Sequence, residues 1–74
     1  MNKKTRTRIA QIKEQLDKYR DELETMQEDE QDKYDNLPEG LQESERGEAM
    51  MEAADNLENA VSALEECIDA LDMI

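Results

Sequence analysis

The sequence predicts an all-α fold, an antiparallel hairpin of two long helices. Apolar residues recur at alternating steps of three and four in both halves of the chain, which is the heptad spacing of packed helices. A break containing proline and glycine, at residues 36–40, separates the two halves. The charge also changes sign along the chain, from +5 in residues 1–20 to −17 in residues 21–74. At this length we expect a single helical-hairpin domain, 1–74.

The first helix is expected from about residue 5 to about residue 35. Its apolar positions form two rows that repeat every seven residues: Ile9, Leu16 and Leu23, and Ile12, Tyr19 and Met26. The next positions in phase are Glu30 and Lys33, which are polar. The apolar seam therefore weakens toward the end of this helix, although the composition there still permits helix.

The break between the helices carries its own signals. Pro38 disfavours helical geometry at Leu37, and Asn36 followed by Glu39 matches a capping box for a new helical start. We expect a short helical turn over about 37–43, with a loop as the alternative. A bend should follow between residues 44 and 47, where Ser44 is a second candidate N-cap.

The second helix, expected at about 45–73, carries the stronger apolar pattern. Three rows repeat every seven residues, so its apolar face is wider than the two-row seam of a coiled coil. A face of this width is typical of a helix that contacts more than one neighbour. The residues that we assign to self-association are Met50, Ala54, Leu57, Ala60, Val61, Leu64, Cys67, Ile68 and Leu71.

The charge pattern favours an antiparallel arrangement. Residues 1–20 are expected beside about 56–74, which would place seven basic side chains next to five acidic ones. Cations there would also complement the C-terminal end of the second helix, whose dipole favours positive charge. Exposed ion pairs contribute little each, so the charges select the topology more than they stabilise it.

A two-helix core is small, and oligomerisation is a usual remedy. We expect a homodimer in which two hairpins form a four-helix bundle or a coiled-coil dimer. The alternatives are a monomeric hairpin and a three-helix arrangement with residues 37–43 folded back.

The composition argues against an enzyme. The chain has no histidine, and its only cysteine, Cys67, is more typical of a small apolar residue on the helix face than of a nucleophile. Residues 29–36 lack the central glycine of a calcium-binding EF-hand loop. We therefore expect no catalytic residue, no metal, no cofactor and no small-molecule substrate.

The expected location is the cytoplasm of a bacterial host cell. No apolar run is long enough to span a membrane, and no apolar signal segment follows the basic N-terminal residues. The acids of the second helix disfavour anionic membrane surfaces and direct binding to nucleic acid.

Residues 21–57 hold fourteen acids and two bases, a net charge of −12 that the hairpin would gather at its loop end. We call these residues the acidic pole. Such a charge run is typical of a solvated face, and alternatively of a surface that binds a basic protein, such as a groove built for phosphates. The residues that we assign to partner binding are Glu28, Asp29, Glu30, Asp32, Asp35, Glu39, Glu43, Glu45, Glu48 and Glu52.

Three segments carry a family resemblance: YDNLPEGLQESERGE at 34–48, AADNLE at 53–58 and ALEE at 63–66. Over about 34–70 the chain resembles small uncharacterised acidic helical proteins of Gram-positive bacteria and their phages or mobile elements. The resemblance implies a small bacterial or phage accessory protein and brings no assigned activity. Phages are a common source of acidic inhibitors of host defence.

Two functions are consistent with these patterns. The first is a non-enzymatic, self-associating structural or adaptor module. The second is a phage or mobile-element inhibitor that mimics nucleic acid through its acidic pole and blocks a basic host-defence protein.

Overall fold

The computed structural model describes all residues, 1–74, and contains three helices and no strand. Helix α1 spans Lys3–Asp35, α2 spans Glu39–Gln42 and α3 spans Glu45–Asp72. α1 and α3 pack against each other in opposite directions, giving a rod of 58 × 14 × 13 Å. The predicted all-α hairpin is confirmed, and the helix boundaries lie within about two residues of those expected.

Asparagines occupy the cap positions at both ends of helix α1: Asn2 before its first residue and Asn36 after its last. The side chain of Asn2 accepts a hydrogen bond of 2.9 Å from the backbone N–H of Thr5, which caps the first turn. At the other end, the N–H of Asn36 donates to the carbonyl of Asp32, and the N–H of Leu37 donates to that of Tyr34. Asn36 therefore closes α1 and does not open α2, so the predicted capping box is wrong. Pro38 occupies the N-cap position of α2, and no side chain caps that helix.

Helix α2 is the predicted helical turn, and it lies against the start of α3. The hydroxyl of Ser44 accepts from the N–H of Gly47 at 3.3 Å and donates to the carbonyl of Leu41, so the predicted N-cap at Ser44 is confirmed. Gly47 is buried within α3 and does not belong to the bend. A Cβ on Gly47 would lie 2.6 Å from the carbonyl oxygen of Leu41, so only glycine permits this close approach.

The core of the hairpin is one narrow line of side chains. Ala54, Val61 and Ile68 of α3 are its buried members, at 1%, 9% and 4% exposure. The opposing residues of α1 are half-buried: Ile9, Leu16 and Leu23. The sequence assigned Ala54, Val61 and Ile68 to self-association, and within one chain they lie in the core of the hairpin, where α1 covers them.

The register of α1 against α3 differs from the expected one. Lys13 pairs with Asp72, and Arg20 lies near enough to Glu65 for attraction. Each step of seven along α1 thus matches a step of seven back along α3, and Arg6 donates to the backbone oxygen of Ile74. Residues 3–8 are exposed and lie at or beyond the end of α3. The expectation that 1–20 lie beside 56–74 is therefore confirmed only in part, since the contacts place about 6–20 beside about 65–74.

The position of residues 3–8 follows from helix length. α1 contains 33 residues and α3 contains 28, and the short α2 turn holds the two together at the loop end. The extra length of α1 must then emerge at the opposite end of the rod. We call residues 3–8 the basic overhang, since it carries Lys3, Lys4, Arg6 and Arg8.

Candidate interaction surfaces

One edge of the hairpin carries the polar contacts between the helices. The ammonium of Lys13 forms an ion pair with the carboxylate of Asp72. The hydrogen bond from Lys13 to Asp72 raises the pKa of Lys13 above its ordinary 10.5, aided by the charges of Asp72, Asp17 and Asp69, and outweighs the opposing effect of desolvation. This edge therefore favours a charged lysine beside α3.

Arg20 lies on the same edge, seven residues further along α1. Its guanidinium donates to Asp21 at 3.2 Å and lies 3.6 Å from Asp17. The hydrogen bond to Asp21 raises the pKa of Arg20, and the carboxylates of Asp17 and Glu65 contribute in the same direction. Most of the partners of Arg20 thus belong to its own helix.

The remaining cations among residues 1–20 are largely free of ion pairs. Lys3, Lys4, Arg8 and Lys18 form no ion pair, and Arg6 donates to the backbone oxygen of Ile74 at 3.1 Å. The expectation that acids at the end of α3 neutralise the basic segment is wrong in most positions, because among the seven cations only Lys13 forms an ion pair with an acid of α3. Lys3, Lys4 and Arg8 in the overhang, and Lys18 further along α1, therefore keep unpaired positive charges.

The side of the hairpin opposite this polar edge can be identified from residue spacing. On α1, Lys13 and Arg20 lie four residues after Ile9 and Leu16, and on α3 Glu65 and Asp72 lie four residues after Val61 and Ile68. The ion pair shows that these two rows share one edge. Residues three positions after the core rows lie on the other flank of each helix, so they share the opposite side. We call that opposite side the open side.

On α1 the open side carries the second apolar row of the predicted seam. Ile12 is half-buried, and Tyr19 and Met26 are 57% and 54% exposed. The hairpin therefore uses only one of the two predicted rows for packing against α3. The signal for this row was present in the sequence, but its assignment to the outside needed the register of the two helices.

On α3 the open side is free of charge from residue 49 onward. None of the eight acids after Gly47 lies in the heptad rows of Ala49, Met50 and Ala53, which form this side. Of the nine residues assigned to self-association, six lie here: Cys67, which is exposed, and Met50, Leu57, Ala60, Leu64 and Leu71, which are half-buried within the hairpin. The small residues that widen this side are Ala49, Ala53, Ala63 and Ala70, all of them exposed.

The acidic pole is built from the end of α1, α2 and the start of α3. Nine of its ten assigned residues are exposed: Glu28, Asp29, Asp32, Asp35, Glu39, Glu43, Glu45, Glu48 and Glu52. The tenth, Glu30, is half-buried in the seam and lies 3.9 Å from Lys33. Arg46 forms no ion pair, so the pole keeps nearly all of its negative charge.

A shallow cleft of about 460 Å³ lies between α1, α2 and α3 at this pole. Half-buried Tyr34 and Met51 form its apolar part, and the carboxylates of Glu48, Glu52 and Asp55 lie around it. The side chain of Gln42 donates to the carbonyl of Tyr34 at 3.1 Å, which ties α2 to the end of α1. Sequence reasoning did not single out Tyr34, because it falls outside both apolar rows of α1.

No group of three or more potential ligand side chains is placed to hold a metal ion. None of the helices combines the length and the apolar character needed to cross a membrane. No protein-family model, curated protein or solved structure matches the chain. The open side and the acidic pole are therefore the two candidate functional surfaces of the chain.

Proposed function

We propose that this protein is a non-enzymatic structural or adaptor module that self-associates as a homodimer through the open side of its hairpin. The observation that carries the proposal is the exposure of Tyr19 and Met26 beside a charge-free side of α3. An apolar surface that is continuous across two helices is typical of an interaction site.

The size of the core supports the same proposal. Three side chains are buried in 74 residues, and α1 supplies only half-buried residues to that core. A second hairpin on the open side would bury the remaining rows of both helices and produce a four-helix bundle. The small residues at the edge of this side would let the helices of the second hairpin approach closely.

The net charge of −12 opposes association between two copies. The placement of the charges reduces this cost, because the acids of α3 lie away from the open side. The proposal locates the protein in the bacterial cytoplasm, where a single cysteine remains reduced.

Self-association is tested by the molecular mass in solution, measured by sedimentation equilibrium at two protein concentrations. We expect the wild-type protein to approach twice its 8.6 kDa chain mass and Tyr19→Glu to remain at the monomer mass. The matched control is Ser62→Glu, which adds the same charge at an exposed position in a row of α3 that carries acids. A wild-type mass that stays at 8.6 kDa at both concentrations would contradict the proposal.

A second candidate function is inhibition of a basic nucleic-acid-binding protein by mimicry of nucleic acid. The observation that favours it is the exposure of nine pole carboxylates with only two bases among them. Helices that carry arrays of carboxylates can occupy a groove lined with lysine and arginine. In this reading the protein is an accessory protein of a phage or mobile element.

A further inference from the structure

On the solvent side of the α1 apolar row, the charged side chains are positive in the first half of the helix and negative in the second. We call this side the outer flank. Beside Ile12, Tyr19 and Met26 run two rows that begin at Lys4 and Arg8 and repeat every seven residues. Their charged members are Lys4, Arg8 and Lys18 in the first half, and Glu22, Asp29 and Asp32 in the second. None of these six side chains forms an ion pair within the hairpin.

When two α1 helices pack antiparallel, the positive half of this flank on one helix lies beside the negative half on the other. The apolar row is symmetric about Tyr19, since Ile12 and Met26 are each seven residues away. If two α1 helices pack antiparallel with their Tyr19 residues level, Arg8 of each lies within one residue step, about 1.5 Å, of the level of the partner's Asp29. Lys4 falls within about two such steps of the partner's Asp32, and Lys18 falls within about two steps of both the partner's Lys18 and the partner's Glu22.

Two hairpins that meet through their open sides have two twofold-symmetric arrangements. In one, α1 packs on the partner's α3 and both loops lie at the same end, which brings two acidic poles of −12 together. In the other, the rods run head-to-tail, α1 packs on the partner's α1, and α3 packs on the partner's α3. The second separates the poles and places unpaired cations beside unpaired acids.

We propose that the open side binds a second copy of this chain head-to-tail, with Tyr19 of both copies at the twofold axis and Arg8 of each opposite the partner's Asp29. This inference rests on the proposed self-association and specifies its geometry. The charge-free side of α3 then meets its equivalent, so its small residues allow close approach without placing like charges together.

The test is a charge swap followed by sedimentation equilibrium at low salt. Arg8→Asp and Asp29→Arg should each weaken the dimer by about tenfold, because each variant replaces two attractive pairs with two repulsive ones. The double variant Arg8→Asp/Asp29→Arg restores both pairs and the original net charge, so it should recover the wild-type dissociation constant.

The matched control is Glu28→Arg. It makes the same change in net charge as Asp29→Arg at the neighbouring position, but it lies on another face of α1, so the dimer should not weaken. A dimer that the double variant fails to rescue would overturn the head-to-tail geometry and leave self-association standing. A wild-type chain that is monomeric at every concentration would overturn both.

A second readout reports the orientation directly. Gly40 is exposed, and a Cβ there has no neighbour within 4 Å, so Gly40→Cys in a Cys67→Ser background accepts a fluorescent label. In a head-to-tail dimer the two labels should lie about 60 Å apart along the rod and give weak energy transfer. Efficient transfer at concentrations where the mass is that of a dimer would show that the loops lie together and would overturn the proposal.

Discussion

Lys13 of α1 and Asp72 of α3 form the one ion pair that joins the two long helices. The two residues lie near the end of the rod away from the loop, so the pair supports the register at the end that α2 does not constrain. In this register the basic overhang lies at or beyond the end of α3.

The pair predicts a pH dependence of stability. The pKa of Lys13 is raised in the folded protein, so its contribution is fully present below pH 10.5 and is lost as the pH rises through the folded-state value. We expect Lys13→Gln to be less stable than wild type at pH 7 to 9, with a difference that narrows above about pH 10.5. The measurement is urea unfolding followed by circular dichroism across this range.

Lys18→Gln is the control, since Lys18 forms no ion pair. An unchanged difference between wild type and Lys13→Gln up to pH 11.5 would contradict the role of the charged pair.

The contact between Gly47 and α2 predicts opposite effects for two glycine substitutions. Gly47→Ala should destabilise the protein by about 1–3 kcal/mol, because the new methyl group meets the carbonyls of Leu41 and Gln42. Gly40→Ala has open space around it and should be neutral or stabilise by up to about 1 kcal/mol. Equal stabilities of the two variants in urea unfolding would rule out the close approach as the reason for glycine at 47.

The hairpin itself could be predicted from the sequence because its signals are local. Heptad spacing, Pro38 and the hydroxyl of Ser44 each act within a few residues, and together they set the number, order and approximate bounds of the helices. The acidic pole followed from the same topology, because any hairpin with its loop near residue 38 gathers those acids.

The surfaces were harder to predict, because they depend on the rotation and register of α1 against α3. Both apolar rows of α1 satisfy the heptad pattern equally, and only packing shows that Leu16 faces the core while Tyr19 remains 57% exposed. The register depends on the length of α1 and on the α2 turn, in which Gly47 permits a contact that no periodicity indicates.

The narrow core predicts a strong effect of truncating a single side chain. Ile68 is 4% exposed, and Ile68→Ala should lower the free energy of unfolding by about 2–5 kcal/mol through lost burial and a cavity. The control is Met73→Ala at an 88% exposed site, which should change it by less than about 0.5 kcal/mol. Similar urea midpoints for the two variants would show that the Ala54–Val61–Ile68 row is not the core.

The second candidate function predicts that binding to a basic protein depends on pole carboxylates. The substitutions Glu39→Lys, Glu43→Lys and Glu52→Lys reverse three exposed charges of α2, its C-cap and α3 without altering the outer flank of α1. The matched control reverses three exposed acids outside the pole, Glu14, Glu58 and Glu66. Circular dichroism should show unchanged helicity in both variants, since none of the six side chains is buried.

The measurement is affinity capture from a bacterial host extract at low and high salt, with elution by added DNA or RNA. If the pole mimics nucleic acid, the captured protein should be lost at high salt, displaced by nucleic acid, and absent with the pole variant but present with the control. Capture that survives the pole reversal, or that nucleic acid fails to displace, would contradict mimicry. Self-association through the open side would be unaffected by that result, because none of the three reversed residues lies on it.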